Sequence, residues 1–235
     1  MRRLHQMVSV LLLVLPAALL AAEKAGAADK PNIVLIVADD LGYTISVRQQ
    51  LAGVANVHRI PANGGPTTKG MARIDAWLGD GPWDVIHFNF GLHDLKYIDD
   101  KGKSVVEKGK LQVPPDQYEA NLRQLVARLK KTGAKLVFAT TTPVPKRAGG
   151  RVAGDERRYN EIALRVMKAE GVAVDDLYEF AQPRLAKLQL PENVHFTPEG
   201  YEALGVEVAG SIRSQLPPAA ERRPAGQNPP QLNRP

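Results

Sequence analysis

The sequence predicts an α/β layer fold built on a parallel sheet of about five strands, and three observations carry that expectation. Residues 31–38 (Pro-Asn-Ile-Val-Leu-Ile-Val-Ala) are a continuous aliphatic run, the mark of a strand buried on both faces. Similar runs recur at 55–60, 85–90 and 135–140, and more weakly at 172–174. Between them lie stretches with apolar residues at helical spacing, so that strand and helix alternate along the chain.

Taken in order, the chain opens with a positive lead-in carrying Arg2 and Arg3, then an apolar run over residues 7–22 of signal-peptide length. Ala25-Gly26-Ala27 is a small-x-small cleavage signal, so residues 1–27 are expected to be a signal peptide. The mature chain is then expected to begin near Ala28 and to work outside the cytoplasm, secreted or periplasmic. About sixteen apolar residues are marginal for spanning a bilayer, so no stable membrane span is expected after cleavage.

Beyond the first strand, residues 67–78 place Met71, Ile74 and Leu78 on one side of a helix. Residues 116–131 carry Tyr118, Leu122, Leu125 and Leu129 and are ended by Gly133. The pattern over 155–170 carries Tyr159, Ile162, Val166 and Met167 and is ended by Gly171. A shorter helix is expected over 177–188. Thr197-Pro198 starts the last one: a hydroxyl N-cap, then a proline whose missing N–H costs nothing at the first helical position. Tyr201, Leu204, Val208 and Ile212 carry it to about Gln215.

Two segments fall outside this pattern. Residues 99–110 mix both charge signs with little that is apolar, and are read as a solvated insertion with no functional message. Residues 216–235 are proline-rich and are expected to form a disordered tail. The folded domain is therefore expected over 28–215.

Composition narrows the chemistry. With 235 residues, 44% of them hydrophobic, there is length for one domain with a real core. The absence of cysteine excludes disulfides, thiolate nucleophiles and zinc–thiolate sites. The formal charge is +6 and the pI about 9.5, but much of the excess sits at the chain ends, as in Arg222, Arg223 and Arg234. Lys130-Lys131 and Lys146-Arg147 have no interleaved aromatics, so nucleic acid is not an expected partner.

In parallel α/β sheets, ligands bind outside the carboxyl ends of the strands, which directs attention to four polar loops. They are Asp39-Asp40-Leu41-Gly42, Asn63-Gly64-Gly65-Pro66, Gly91-Leu92-His93-Asp94, and the segment from Glu192 to His195. His195 precedes a helix start with Glu192 three residues before it, where a carboxylate would fix the imidazole tautomer. Each loop alone has an ordinary reading: a glycine turn, or a histidine bonded to a backbone carbonyl. Together at one sheet edge they point to a site.

These motifs, with Trp83-Asp84-Val85-Ile86-His87-Phe88-Asn89-Phe90 and Val194-His195-Phe196-Thr197-Pro198-Glu199-Gly200-Tyr201, resemble the SGNH/GDSL hydrolases from about residue 42 to 213. The resemblance implies a three-layer flavodoxin-like fold and hydrolysis of esters, often acetyl groups on carbohydrates or acyl lipids, with no metal or other cofactor. In the family's last block an acid stands three residues before the catalytic histidine. His195 matches the base and Glu192 the acid, glutamate for the usual aspartate. The family's glycine block supplies an oxyanion N–H, which carries over to Gly65 and less directly to Gly64. Its third block is Gly-x-Asn-Asp; here His93 replaces the asparagine and Asp94 is kept. An imidazole N–H would still donate to an oxyanion.

The first block departs from the family. Gly-Asp-Ser, whose serine is the nucleophile, is replaced by Ala38-Asp39-Asp40, and the segment before Gly42-Tyr43-Thr44 is about two residues short. Asp40 takes the serine position. Without a hydroxyl there, no acyl-enzyme forms in the usual way. Three routes stay open: Ser46 reaches the site through a refolded loop, Asp40 attacks or activates water, or the site binds without efficient turnover.

Residues 30–43 also resemble the N-terminal strand of sulfatases, in which paired aspartates bind calcium. That family needs a cysteine or serine in a Cys/Ser-x-Pro-x-Arg motif, and this chain has none. The expected function is thus an exported ester hydrolase with a degenerate nucleophile block, acting on a small-molecule or carbohydrate ester. One rival is a non-catalytic protein binding an acyl or carbohydrate ligand in the same cleft. Another is a metal-dependent, phosphoesterase-like site on Asp39, Asp40 and His93 with an oxygen-preferring cation.

Overall fold

In the computed structural model of the chain, residues 30–38 and 42–216 are described. The expected signal segment, Asp39, Asp40 and the tail beyond residue 216 lie outside them. Five strands form one sheet: β1 (Asn32–Val37), β2 (Asn56–Arg59), β3 (Val85–Asn89), β6 (Lys135–Ala139) and β7 (Ala173–Asp175). Their order is β2-β1-β3-β6-β7, and every neighbouring pair is parallel.

Strand residues alternate between two helical layers, which explains why the runs are apolar at every position rather than every second one. Val34, Ile36, Ile86, Phe88 and Phe138 pack beneath α2 (Thr67–Leu78), α3 (Pro115–Lys130) and α4 (Asp155–Glu170). Ile33, Leu35, Val37, Val85 and Val137 face α1 (Tyr43–Gln50) and α7 (Pro198–Gln215). The first chain crossover goes outward to β2, and the next returns past β1 to β3. The switch point therefore lies between the carboxyl ends of β1 and β3, where a doubly wound sheet opens a crevice.

Two expectations change. The helix over 177–188 is broken into α5 (Leu177–Ala181), a 3₁₀ turn at Gln182–Arg184 and α6 (Leu185–Leu188). Pro183 has no N–H to continue the ladder and interrupts it. The insertion at 99–110 is not a featureless solvated loop. Its borders pair as a small antiparallel ribbon, β4 (Tyr97–Ile98) with β5 (Lys110–Leu111). The Tyr97 N–H donates to the Gly150 carbonyl at 2.7 Å, fastening the ribbon to the loop before α4.

One polar pair sits inside the sheet. His87 on β3 and Asp175 on β7 meet at 2.9 Å with both side chains buried, while Nδ1 of His87 has no partner. No helix among the described residues is long and apolar enough to cross a membrane.

Candidate active site

The loop after β3 is a tight turn held from several sides. Gly91 has φ 150°, and a Cβ there would lie 2.1 Å from Thr141 Oγ1, so only glycine lets the chain turn at this point. The Leu95 N–H donates to Gly91 O, Tyr118 OH donates to Phe90 O at 2.7 Å, and Val113 N–H donates to Asp94 O. His93 is thereby held half-buried at the carboxyl edge of the sheet.

Beneath it, Asp94 Oδ1 accepts from both the N–H (2.8 Å) and the hydroxyl (2.5 Å) of Thr67, and Asn121 Nδ2 donates to that hydroxyl. A carboxyl at the first residue of α2 satisfies a donor that the helix itself leaves open. The loop after β2 docks just above. The Gly64 N–H donates to Val37 O at 2.8 Å, and a Cβ on Gly64 would press on Ala38 Cα at 3.1 Å. The Gly65 N–H donates to Asn63 Oδ1 at 2.7 Å, with φ 68°. The tip of β1 is tied to β3 by Ala38 N–H donating to Asn89 Oδ1 at 2.9 Å.

His195 arrives from the C-terminal side. Buried Val194 and Phe196 anchor it on both flanks, and Gln189 Nε2 donates to Pro143 O. Thr197 caps α7 as the sequence predicts, its Oγ1 accepting from Gly200 N–H at 3.1 Å. The His195 N–H donates to Asn193 Oδ1 at 3.1 Å.

These loops enclose a cleft of about 310 Å³ into which Asn63, His93 and His195 project, with Leu92 and Val194 as apolar wall. Lys96 and Arg151 complete the lining. His93 is pulled down to about 4, first by burial, then by the positive charges of Arg151, Lys96 and Lys69, with a smaller contribution from the nearby His195. At neutral pH it is a neutral imidazole with one N–H to donate and one nitrogen to accept. A larger depression of about 430 Å³ between α4 and α5, walled by Thr140, Arg157 and Tyr178, contains no imidazole.

The structure places His93 and His195 on the lining of one cleft and sets the other expected residues differently. Gly64 is corrected: its N–H is already donated to β1. The Gly65 N–H is held by Asn63, so Gly65 shapes the loop and sets Asn63 at the cleft. Asp94 does not line the cleft; it is fully buried and bolts the His93 turn to α2. Burial pushes its carboxyl up to about 7 against the Thr67 hydrogen bonds. Glu192 does not reach His195. Its carboxylate pairs with the Arg147 guanidinium, and its backbone takes φ 57°.

Ser46 is also removed from contention. It is buried on α1, and its Oγ donates to the Glu202 carbonyl of α7 at 3.3 Å. Among the described residues, the cleft lining contains no hydroxyl or thiol. Asp40 lies outside the described residues. No three His, Asp or Glu side chains among the described residues converge as a metal site, and the Asp39 and Asp40 of that reading lie outside them. Asn63, Lys96 and Arg151 were not singled out from sequence. Asn63 stands within a recognised loop, whereas Lys96 and Arg151 carry no local signal.

The profile of the family described as "GDSL-like Lipase/Acylhydrolase family" matches residues 27–203. No curated protein matches the sequence. Among solved structures, a lipase/acylhydrolase from Enterococcus faecalis superposes with TM-score 0.65 at 20% identity, over 80% of this chain and 98% of the other. An acetyl xylan esterase gives 0.63 at 14% identity, over 77% and 99%. The acetylxylan esterase Axe2 from Geobacillus stearothermophilus gives 0.58 at 17% identity, over 80% and 96%. At these identities the likeness is one of fold.

Proposed function

The chain belongs to the GDSL-like lipase/acylhydrolase family, and on that premise we propose that it is an exported ester hydrolase in which His195 activates water directly. The observation that carries this reading is the meeting of two imidazoles in one cleft whose described lining lacks a hydroxyl nucleophile. His195 takes a proton from water, and the water oxygen bonds to the ester carbonyl carbon. His93, neutral at working pH, donates its N–H to the oxyanion that forms. Collapse breaks the bond to the alcohol oxygen, which receives the proton from His195, leaving acid and alcohol. Asp40, at the position of the family's serine, follows Ala38 by two residues in the sequence.

The fold neighbours that are acetyl xylan esterases support acetyl or short acyl esters on carbohydrate as the substrate class. The N-terminal segment supports export, which the mass of the mature chain tests: a start near Ala28 is expected, and an intact residue 1 overturns it.

The activity test is hydrolysis of a chromogenic acetyl ester by the mature chain beside His195→Ala, with and without chelator. Turnover that the histidine change lowers about a hundredfold or more, and chelator leaves alone, is expected. Loss with chelator supports a metal site. A second reading, a ligand-binding protein on the same fold, draws on the missing hydroxyl. It gains if no turnover occurs while acetylated sugar still binds.

A further inference from the structure

The two edges of the sheet are finished differently. At β2, the Arg48 guanidinium donates to the Val57 carbonyl at 3.2 Å and covers that edge. At the other edge, β7 pairs with β6 alone among the described strands. The Thr140 N–H donates to Asp175 O at 3.1 Å, so Ala173 and Asp175 turn their backbone groups to β6. Val174, between them, turns its N–H and C=O outward, because these groups alternate along a strand. No described residue bonds to either group, and the Val174 side chain is itself exposed. An edge left in this state is a template for another strand.

A depression of about 510 Å³ lies beside this strand, between β7 and α7, and exposed Val206 lines it together with Val174. Glu207, Gly210 and Arg213 belong to its helical wall, three residues apart and so on one side of α7. A Cβ on Gly210 would meet nothing within 4 Å, which leaves a second backbone room to approach there. Opposite charges stand at equal spacing on either side of that glycine. Glu207 has no ion pair among the described residues, and the Arg213 guanidinium donates to the neutral Gln50 carbonyl. Such a wall complements itself after a half-turn, each Glu207 meeting the partner's Arg213. Val174 fits the same symmetry: two residues facing each other in an antiparallel pair exchange both N–H···O bonds, and Val174 offers one donor and one acceptor on one side.

We propose that the chain forms a two-fold dimer in which β7 pairs antiparallel with β7 of a second copy at Val174, and α7 packs against its counterpart at Gly210. Two five-stranded sheets then become one continuous sheet. Val174 and Val206 leave water in both copies, and the Glu207 and Arg213 charges pair across the axis. The interface stands apart from the hydrolase reading, since neither its residues nor its test involves the cleft.

Sedimentation velocity of the mature chain over a concentration series tests this, beside Val174→Pro, Glu207→Arg and the double exchange Glu207→Arg with Arg213→Glu. A dimer is expected. Val174→Pro removes an outward N–H that the fold itself does not use, so the variant is expected to keep its urea midpoint while its dimer weakens about tenfold or more. Glu207→Arg is expected to weaken the dimer by setting like charges together, and the double exchange to restore part of the loss. A chain that stays monomeric throughout, or a dimer left at full strength by either single variant, overturns the proposal. Hydrogen exchange adds a second readout: the Val174 amide is expected to be protected in the dimer and to exchange freely on dilution. Protection that persists in a monomer means that a segment of the same chain covers the edge, and it overturns the dimer as well.

Discussion

Asp94 and His93 are adjacent in sequence, yet their surroundings move them in opposite directions. Burial raises Asp94 from 3.8 to about 7, and its Oδ2 has no hydrogen-bond partner to stabilise the ionised form. Between those pH values the folded chain holds a proton that the unfolded chain has released, so this group's contribution to stability falls as pH rises. Burial and the cations Arg151, Lys96 and Lys69 lower His93 from 6.5 to about 4. Between about pH 4 and 6.5 the unfolded chain holds the extra proton, and stability rises with pH. The two slopes largely cancel in the native protein. Urea denaturation is expected to uncover them: Asp94→Asn, which keeps an acceptor for Thr67, leaves a rise across pH 4 to 6.5. His93→Asn leaves a fall across pH 4 to 7. Each slope is at most about 1.4 kcal/mol per pH unit, the value for one proton. A flat profile in both variants contradicts the assignment.

At the level of elements, α1 and α7 pack closely because Gly205 leaves room for Ser46; a Cβ on Gly205 would lie 2.4 Å from the Ser46 Cβ. Gly205→Ala is expected to cost about 1–3 kcal/mol by overpacking. Adding Ser46→Gly should return part of that cost, as denaturant midpoints will show. Ser46→Ala should keep ester turnover at the native rate, since that hydroxyl belongs to the helix seam and not to the cleft. A collapse of turnover in this variant would restore the serine as nucleophile.

The same seam shows what was legible in the sequence. Buried strands declare themselves by unbroken aliphatic runs, and α2, α4 and α7 by apolar residues three and four apart, so five strands and most helices were readable. Tyr97-Ile98 and Lys110-Leu111 are too short for any period, and their pairing was not. In the site, His93 and His195 were readable because each ends a recognisable loop. Glu192 was misplaced because spacing along the chain does not register Arg147, which claims its carboxylate. Gly64 was misplaced because its N–H answers a β1 carbonyl remote in sequence. Lys96 and Arg151 meet only through the docking of one loop on another, which no local pattern encodes.

Over the whole molecule, the sheet fixes the edge that carries the cleft, and His87–Asp175 spans the sheet from β3 to β7 across β6. Asp175→Ala leaves a buried imidazole without its partner and is expected to lower stability by about 1–3 kcal/mol in urea denaturation. Substrate affinity should follow only the folded fraction, because this pair faces the core and not the cleft. An altered affinity at full folding would place the pair in the site. The cleft is the point where the sheet's switch point, the β4–β5 ribbon and the C-terminal loop converge, and the central claim concerns what attacks the ester there. Intact-mass analysis of the enzyme, acid-quenched during turnover of an acetyl ester in ¹⁸O-labelled water, tests it most directly. Attack by water activated at His195 predicts an enzyme of unchanged mass and one labelled oxygen in the acetate from the first turnover. An acetylated enzyme, or label absent from the first-turnover acetate, would contradict it.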